Sequence, residues 1–191
     1  MKIGIIDSGM GGYYFYLNIK KRYPKHEFVL IKDTCFFPYG TKTPKILLQR
    51  FEILNAKLRN IGCIKTIVAC NTLSTNIEIN GIDVLGVVTP VIDYMNNQKY
   101  QKPAIIATYN TIKSNIFQKS FPNAYMILGT NLISEVENKL NVNQVLIDMI
   151  NFIPSDCDCL VLGCTHLIGI KHLIYPKITI DVISVDEIFK L

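Results

Sequence analysis

Short apolar runs alternate with longer stretches of helical period along this chain. Residues 2–6, 27–31, 66–69, 84–88, 104–107, 125–128, 159–162 and 178–183 read as strands. Most are unbroken apolar runs rather than in–out alternations, the pattern of strands covered on both faces. Between them lie helical stretches. Residues 44–59 open on Pro44 and set Leu47, Phe51, Leu54 and Leu58 along one stripe. Residues 111–120, 131–140 and 142–152 read as further helices. Strands that alternate with helices predict βαβ units, so the expected fold class is α/β with doubly wound parallel sheets.

One polar stretch divides this pattern. Asn96, Asn97, Gln98 and Lys99 lead to Pro103 and split the chain nearly in half. Residues 1–97 read as a first α/β lobe and 98–177 as a second. Residues 178–191 read as a strand and short helix returning to the first lobe. The halves echo each other. Thr66-Ile67-Val68-Ala69-Cys70-Asn71-Thr72 and Cys159-Leu160-Val161-Leu162-Gly163-Cys164-Thr165-His166 share one plan. Each is a buried strand, a small residue, a cysteine and then hydroxyl or amide side chains. A pseudo-twofold pair of lobes follows, with the active site in the cleft between them.

Composition narrows the classes. Of 191 residues, 49% are hydrophobic and 18% charged, which excludes a disordered chain. The net charge of +5 is scattered, with no basic run longer than Lys20-Lys21-Arg22. That points weakly to an anionic ligand and away from a nucleic-acid groove, and a solvated basic surface accounts for it better. No stretch approaches the ~18 consecutive apolar residues of a membrane span. The apolar run at the start meets Asp7 too soon for a signal peptide. The expectation is a cytoplasmic protein whose six cysteines stay reduced.

In a parallel sheet, ligands bind beyond the carboxyl ends of the strands. Five strand ends here carry polar or reactive groups. They are Asp7-Ser8-Gly9-Met10-Gly11-Gly12, then Asp33-Thr34 with Pro38-Tyr39-Gly40, then Cys70-Asn71-Thr72, then Thr108 with Asn110-Thr111, and last Cys164-Thr165-His166. Taken singly, each has a plainer reading. The glycines permit a tight turn into a helix. They match neither G-x-G-x-x-G nor a P-loop. Asp7 suits a helix N-cap, and a lone buried cysteine is usually inert. Two cysteines at matching strand ends change that balance, and His166 is placed as a proton partner two residues past Cys164. A zinc cluster of Cys157, Cys159, Cys164 and His166 is disfavoured. The C-x-x-C knuckle is missing, and a strand separates the first two cysteines from the third.

Two thiols on opposite lobes suit one chemistry. One thiolate removes a proton from a carbon beside a carboxylate, and the other thiol returns a proton to the opposite face, inverting the carbon. The sulfurs should then lie on the order of 7–8 Å apart, two reacting distances plus slack. The carbanion is costly, so Asn71, Thr72, Thr165 and backbone N–H groups are expected to hold the carboxylate and share its charge. Neither a metal nor a cofactor is needed.

These motifs resemble glutamate racemase, in the cofactor-independent aspartate/glutamate racemase superfamily. The resemblance runs through Ile3-Gly4-Ile5-Ile6-Asp7-Ser8-Gly9-Met10-Gly11-Gly12, Asp33-Thr34 with Pro38-Tyr39-Gly40-Thr41-Lys42, and Val68-Ala69-Cys70-Asn71-Thr72. It continues through Asn110-Thr111-Ile112-Lys113-Ser114-Asn115 and Leu162-Gly163-Cys164-Thr165-His166. It implies that Cys70 and Cys164 are the catalytic acid/bases, that Asp7 assists Cys70 and that His166 assists Cys164. It places Ser8, Pro38, Tyr39, Gly40, Asn71, Thr72, Thr108, Thr111 and Thr165 around the substrate. A glutamate near the second cysteine is also implied, with Glu137 the first choice and Glu135 the second.

The expected substrate is glutamate, with D-glutamate supplied to peptidoglycan and a homodimer as the expected assembly. Two competing readings remain: a racemase of another small acid such as aspartate, and a non-catalytic paralogue that binds a small acid or a protein. The sequence departs from the family at Leu167-Ile168, where an aromatic residue and a proline are usual. It also ends soon after Ser184-Val185-Asp186, where the family has a further segment packed on the first lobe.

Overall fold

The computed structural model describes residues 1–79 and 83–191. Its frame is two four-stranded parallel sheets. In the first, β1 (Lys2–Asp7), β2 (Glu27–Lys32), β3 (Lys65–Val68) and β4 (Val84–Gly86) lie in the order β2-β1-β3-β4. In the second, β5 (Pro103–Ala107), β6 (Tyr125–Leu128), β7 (Cys159–Gly163) and β8 (Asp181–Ile183) lie in the order β6-β5-β7-β8. The two orders are one topology written twice. Both faces of the central strands are covered, so Ile3, Ile5 and Ile6 in β1 and Leu160, Val161 and Leu162 in β7 are all buried.

Among the described residues, ten α-helices cover these sheets. The first lobe carries α1 (Met10–Arg22), α2 (Pro44–Asn60), α3 (Asn71–Asn76) and α4 (Val88–Gln98). The second carries α5 (Tyr109–Lys113), α6 (Ile116–Ser120), α7 (Thr130–Asn138), α8 (Val142–Asn151) and α9 (Lys171–Ile174). The last, α10 (Val185–Ile188), follows β8. Helix α2 keeps its sequence signature. Thr43 caps it by accepting the Ile46 N–H, Pro44 opens it, and Leu47, Leu54 and Leu58 form the buried stripe.

Several expected elements change in detail. The helix expected over 111–120 is two, because Asn115 sits at φ 57°, a left-handed turn that no α-helix continues through. The strand expected over 84–88 stops at Gly86, since Val87 already caps α4. The strand expected from 178 begins only at Asp181. The stretch expected to return to the first lobe divides there. β8 pairs with β7 and belongs to the second sheet, while α10 packs on α1 and α4 of the first lobe.

The largest core cluster runs through both lobes. It joins Ile3, Phe15, Ile67 and Val91 of the first to Ile105, Phe117 and Val161 of the second. Each such side chain contributes about 1.5–3 kcal/mol on burial, so the lobes are held together by a shared core. Helix α1 lies on this seam, against the 3-10 turn Thr165–Ile170. Its glycines make the approach close. A Cβ on Gly11 would stand 2.4 Å from Thr165 Oγ1, and one on Gly12 2.2 Å from Asp7 Cβ.

Candidate active site

Parallel sheets deliver their strand ends to one edge. β1 ends on Asp7, β3 leads to Cys70 at the cap of α3, β5 leads to Thr108 at the cap of α5, and β7 leads to Cys164. The two edges face a single cavity of about 760 Å³. Cys70, Cys164, Ser8, Pro38, Tyr39, Gly40, Thr72, Thr108, Thr165 and His166 line it. Asp7, Asn71, Thr111 and Glu137 stand behind its wall, each bonded to or adjoining a residue that lines it.

The first thiol has an acidic neighbourhood. Burial pushes the Cys70 thiol well up, and the nearby Asp7 carboxylate pushes it further, as does Cys164. It rests protonated. Ser8 Oγ lies 4.0 Å from its sulfur. Asp7 is fully buried, which raises its own pKa against the pull of His166, the Gly9 N–H and the Thr165 hydroxyl. Gly9 N–H donates to Asp7 Oδ1 at 2.9 Å, and Thr165 Oγ1 donates to Oδ2 at 2.9 Å.

The second thiol has an imidazole beside it. Cys164 Sγ lies 3.5 Å from His166 Nδ1. On the far side of the ring, Nε2 lies 2.7 Å from Glu137 Oε2. Burial alone would lower the His166 pKa. The opposing pulls of Cys164, Glu137 and Asp7 win and push it up to about 10. The bond to His166 holds the Glu137 carboxyl below its usual range, helped by the Met10 N–H and the Lys32 charge. Glu137 Oε2 also accepts that Met10 N–H at 2.8 Å.

Bonds across the cleft join the lobes around the cavity. Thr165 reaches Asp7 and Met10 reaches Glu137, as above. Thr72 Oγ1 lies 2.8 Å from Thr108 Oγ1, which lies 3.1 Å from Thr111 Oγ1. Asn110 Nδ2 donates to the carbonyls of Tyr39 and Lys42, at 3.1 and 2.7 Å. Tyr39 OH donates to Asp33 Oδ2 at 2.5 Å, and Arg50 grips both oxygens of Asp33 at 2.8 Å each. Asn71, next in sequence to Cys70, has its side-chain Oδ1 buried without a hydrogen-bond partner.

Sequence reasoning noted Asn110 as a strand-end residue but did not place it in the site. Asn76, Thr130 and Ser134 also line the cavity. Asn76 and Ser134 come from helix faces, which no strand-end signal reaches, while Thr130 follows the end of β6 by two residues, as Cys70 follows β3, and could have been found by that signal. Cys159 opens β7, about 16 Å of strand before Cys164, and Cys157 lies two residues before the strand. Among the described residues, no group of three His, Cys, Asp or Glu side chains is placed to hold a metal ion. No helix among them is long and apolar enough to cross a membrane.

Comparison with known proteins follows this geometry. No family model matches the chain. It is 34% identical over 187 residues to the glutamate racemase of Buchnera aphidicola from Schizaphis graminum, covering 87% of this chain and 73% of that one. The glutamate racemase of Thermus thermophilus, solved with beta-chloro-D-alanine, superposes with a TM-score of 0.87 at 25% identity, covering 98% of this chain and 76% of that one. The glutamate racemase of Francisella tularensis, solved with D-glutamate, superposes with a TM-score of 0.83 at 26% identity, covering 97% and 76%.

Proposed function

The chain belongs to the glutamate racemase family, and from that premise we propose that it interconverts L- and D-glutamate with two thiols and no cofactor. One observation carries the reading: Cys70 and Cys164 leave equivalent strands of two like sheets and line one cavity. Each lobe, 1–97 and 98–177, brings one thiol. The relatives' names support glutamate as the substrate.

In the proposed cycle a thiolate on one lobe takes the α-proton, and the thiol on the other lobe gives a proton to the opposite face. The electron pair left on carbon is shared into the α-carboxylate, which Thr72, Thr165 and backbone N–H groups at the strand ends hold. Burial and Asp7 keep Cys70 as the ready proton donor. On the other lobe His166 exchanges a proton with Cys164, and Glu137 orients the ring. The family resemblance assigns Cys164 to L-glutamate. The same reading places the protein in the cytoplasm as a homodimer, supplying D-glutamate for peptidoglycan.

Exchange of the α-proton in deuterated water, followed by NMR for both enantiomers of glutamate and of aspartate, tests it. Glutamate should exchange and racemise, undiminished by dialysis against chelator and with no aldimine absorbance. Exchange of aspartate alone would move the substrate assignment. Exchange of neither would favour a non-catalytic binder.

A further inference from the structure

The lobes are tied at a second place, away from the cavity. Asp186 is 2% exposed, and its carboxylate gathers partners from both lobes. Asn18 Nδ2 of α1, in the first lobe, donates to Oδ2 at 2.6 Å. Lys171 Nζ, at the start of α9 in the second lobe, donates to the same oxygen at 2.7 Å. Ser184 donates its hydroxyl to the other oxygen. Around this node, Arg22 donates to the carbonyls of Asp186 and Phe189. Lys171 also pairs with Glu187 at 2.5 Å. The Phe15 and Phe189 rings pack edge to face at 5.5 Å.

Helix α1 connects this node to the chemistry. Its first residue, Met10, holds Glu137 through a backbone N–H. Asn18 is eight residues further on, about 12 Å along the axis at ~1.5 Å per residue. The 3-10 turn that faces α1 across the seam is likewise held at both ends. Thr165 opens the 3-10 turn and holds Asp7, and Lys171 directly follows its last residue, Ile170. The bonds beside the cavity and the Asp186 node thus hold the lobes at places some 12 Å apart along α1, and with the shared core they resist rotation of one lobe against the other.

We propose that Asp186 is a positioning residue for racemisation, a bolt joining Asn18 of one lobe to Lys171 of the other that sets the angle between the lobes and so the separation of the two thiols. The inference rests on the two-thiol reading above. Racemisation needs both thiols within reach of one carbon. A misplacement of about 1 Å costs on the order of 10²-fold. A reaction that needs only one thiol does not feel the separation.

Elimination from β-chloroalanine is such a reaction. One thiolate takes the α-proton, chloride leaves with the carbon–chlorine electron pair, and the aminoacrylate hydrolyses to pyruvate and ammonium. In the full chain, Asp186→Asn and Asn18→Ala should each lower kcat for glutamate racemisation about tenfold or more. Elimination from either chloroalanine enantiomer should stay within about twofold. Asn18→Ala keeps the buried Asp186–Lys171 pair, so it decides the matter if Asp186→Asn fails to fold. Parallel loss of both reactions would mean a role in stability alone and overturn the proposal. So would retention of both. Cys70→Ser and Cys164→Ser serve as controls: if they do not separate the two enantiomers in elimination, the two-thiol reading is what fails, and the positioning role falls with it.

Discussion

The two lobes share a topology but differ in how each supports its thiol. Both sheets are parallel, with the cysteine-bearing strand third in order. Around Cys70 are a buried carboxylate and a serine hydroxyl. Around Cys164 is an imidazole backed by a carboxylate. The lobes also lend each other support. Asp7 of the first is held by Thr165 of the second, and Glu137 of the second by Met10 of the first. A duplicated frame thus places two like thiols, and unlike surroundings hold one protonated and set an imidazole beside the other. Neither lobe carries a complete half-site alone.

The largest effect should come from the thiols themselves. Cys70→Ser and Cys164→Ser should each reduce racemisation by at least about 10³-fold, since a serine hydroxyl is a poor base near neutral pH. The fall must be equal in kcat/KM for both directions, because enantiomers have equal free energy and the equilibrium constant is unity. Elimination from β-chloroalanine escapes that constraint. Each mutant should retain it for one enantiomer and lose it for the other. Equal loss for both enantiomers in folded protein would remove the distinction between the lobes.

Replacing the supports should show their difference next. His166→Asn is expected to lower elimination from the enantiomer served by Cys164 by about 10²-fold, and to leave the other within a few fold. Asp7→Asn acts differently. It removes a negative neighbour from Cys70, so the pH profile of Cys70-dependent elimination should move to lower pH. Burial still holds the thiol above its ordinary range. A shift to higher pH would show that Asp7 acts through something other than its charge.

The frame of this molecule was legible because the strands are continuous apolar runs and the chemistry sits at their ends. Cys70, Cys164 and His166 were readable for that reason. The seam was not. Glu137 was named only through the family resemblance, because it sits on an amphipathic helix whose pattern reports only its buried face, Leu132, Ile133 and Val136. Its bond to a backbone N–H 127 residues away has no local signature. Asn115 gave no warning of the left-handed turn that breaks the expected helix, because asparagine suits both states. Asp186 sits in a late motif whose partners, Asn18 and Lys171, belong to different lobes.

A smaller effect should follow from Asn110, which joins the second lobe to the Tyr39–Lys42 loop of the first. Asn110→Ala frees two carbonyls and loosens one wall of the cavity. KM for glutamate should rise about tenfold with kcat changed less than about threefold. The same substitution should not alter the enantiomer preference in elimination, since it touches neither thiol. A selective loss for one enantiomer would place Asn110 within one lobe's chemistry.

A last effect is read in stability rather than in rate, and it reports the cationic side of the site. His166 titrates near 6.5 when exposed and at about 10 in the fold. Below pH 6.5 both states carry the proton, and the stabilising contribution is complete. Between 6.5 and 10 only the folded protein keeps it, so stability falls as pH rises, by up to about 1.4 kcal/mol per pH unit. Above 10 the contribution is gone. Buried thiols such as Cys70 and Cys159 also lose stability with rising pH, but only once the unfolded chain's cysteines ionise, near pH 8.5. Urea unfolding between pH 6.5 and 8 therefore reads His166 ahead of the thiols, together with its buried neighbour Asp7, whose raised pKa acts in the same direction. The wild-type free energy should decline across that window, and His166→Asn should flatten the decline. An equal slope in the mutant would mean the imidazole holds no extra proton in the fold, and the contrast between an acid-flanked thiol and an imidazolium-flanked one would lose its second half.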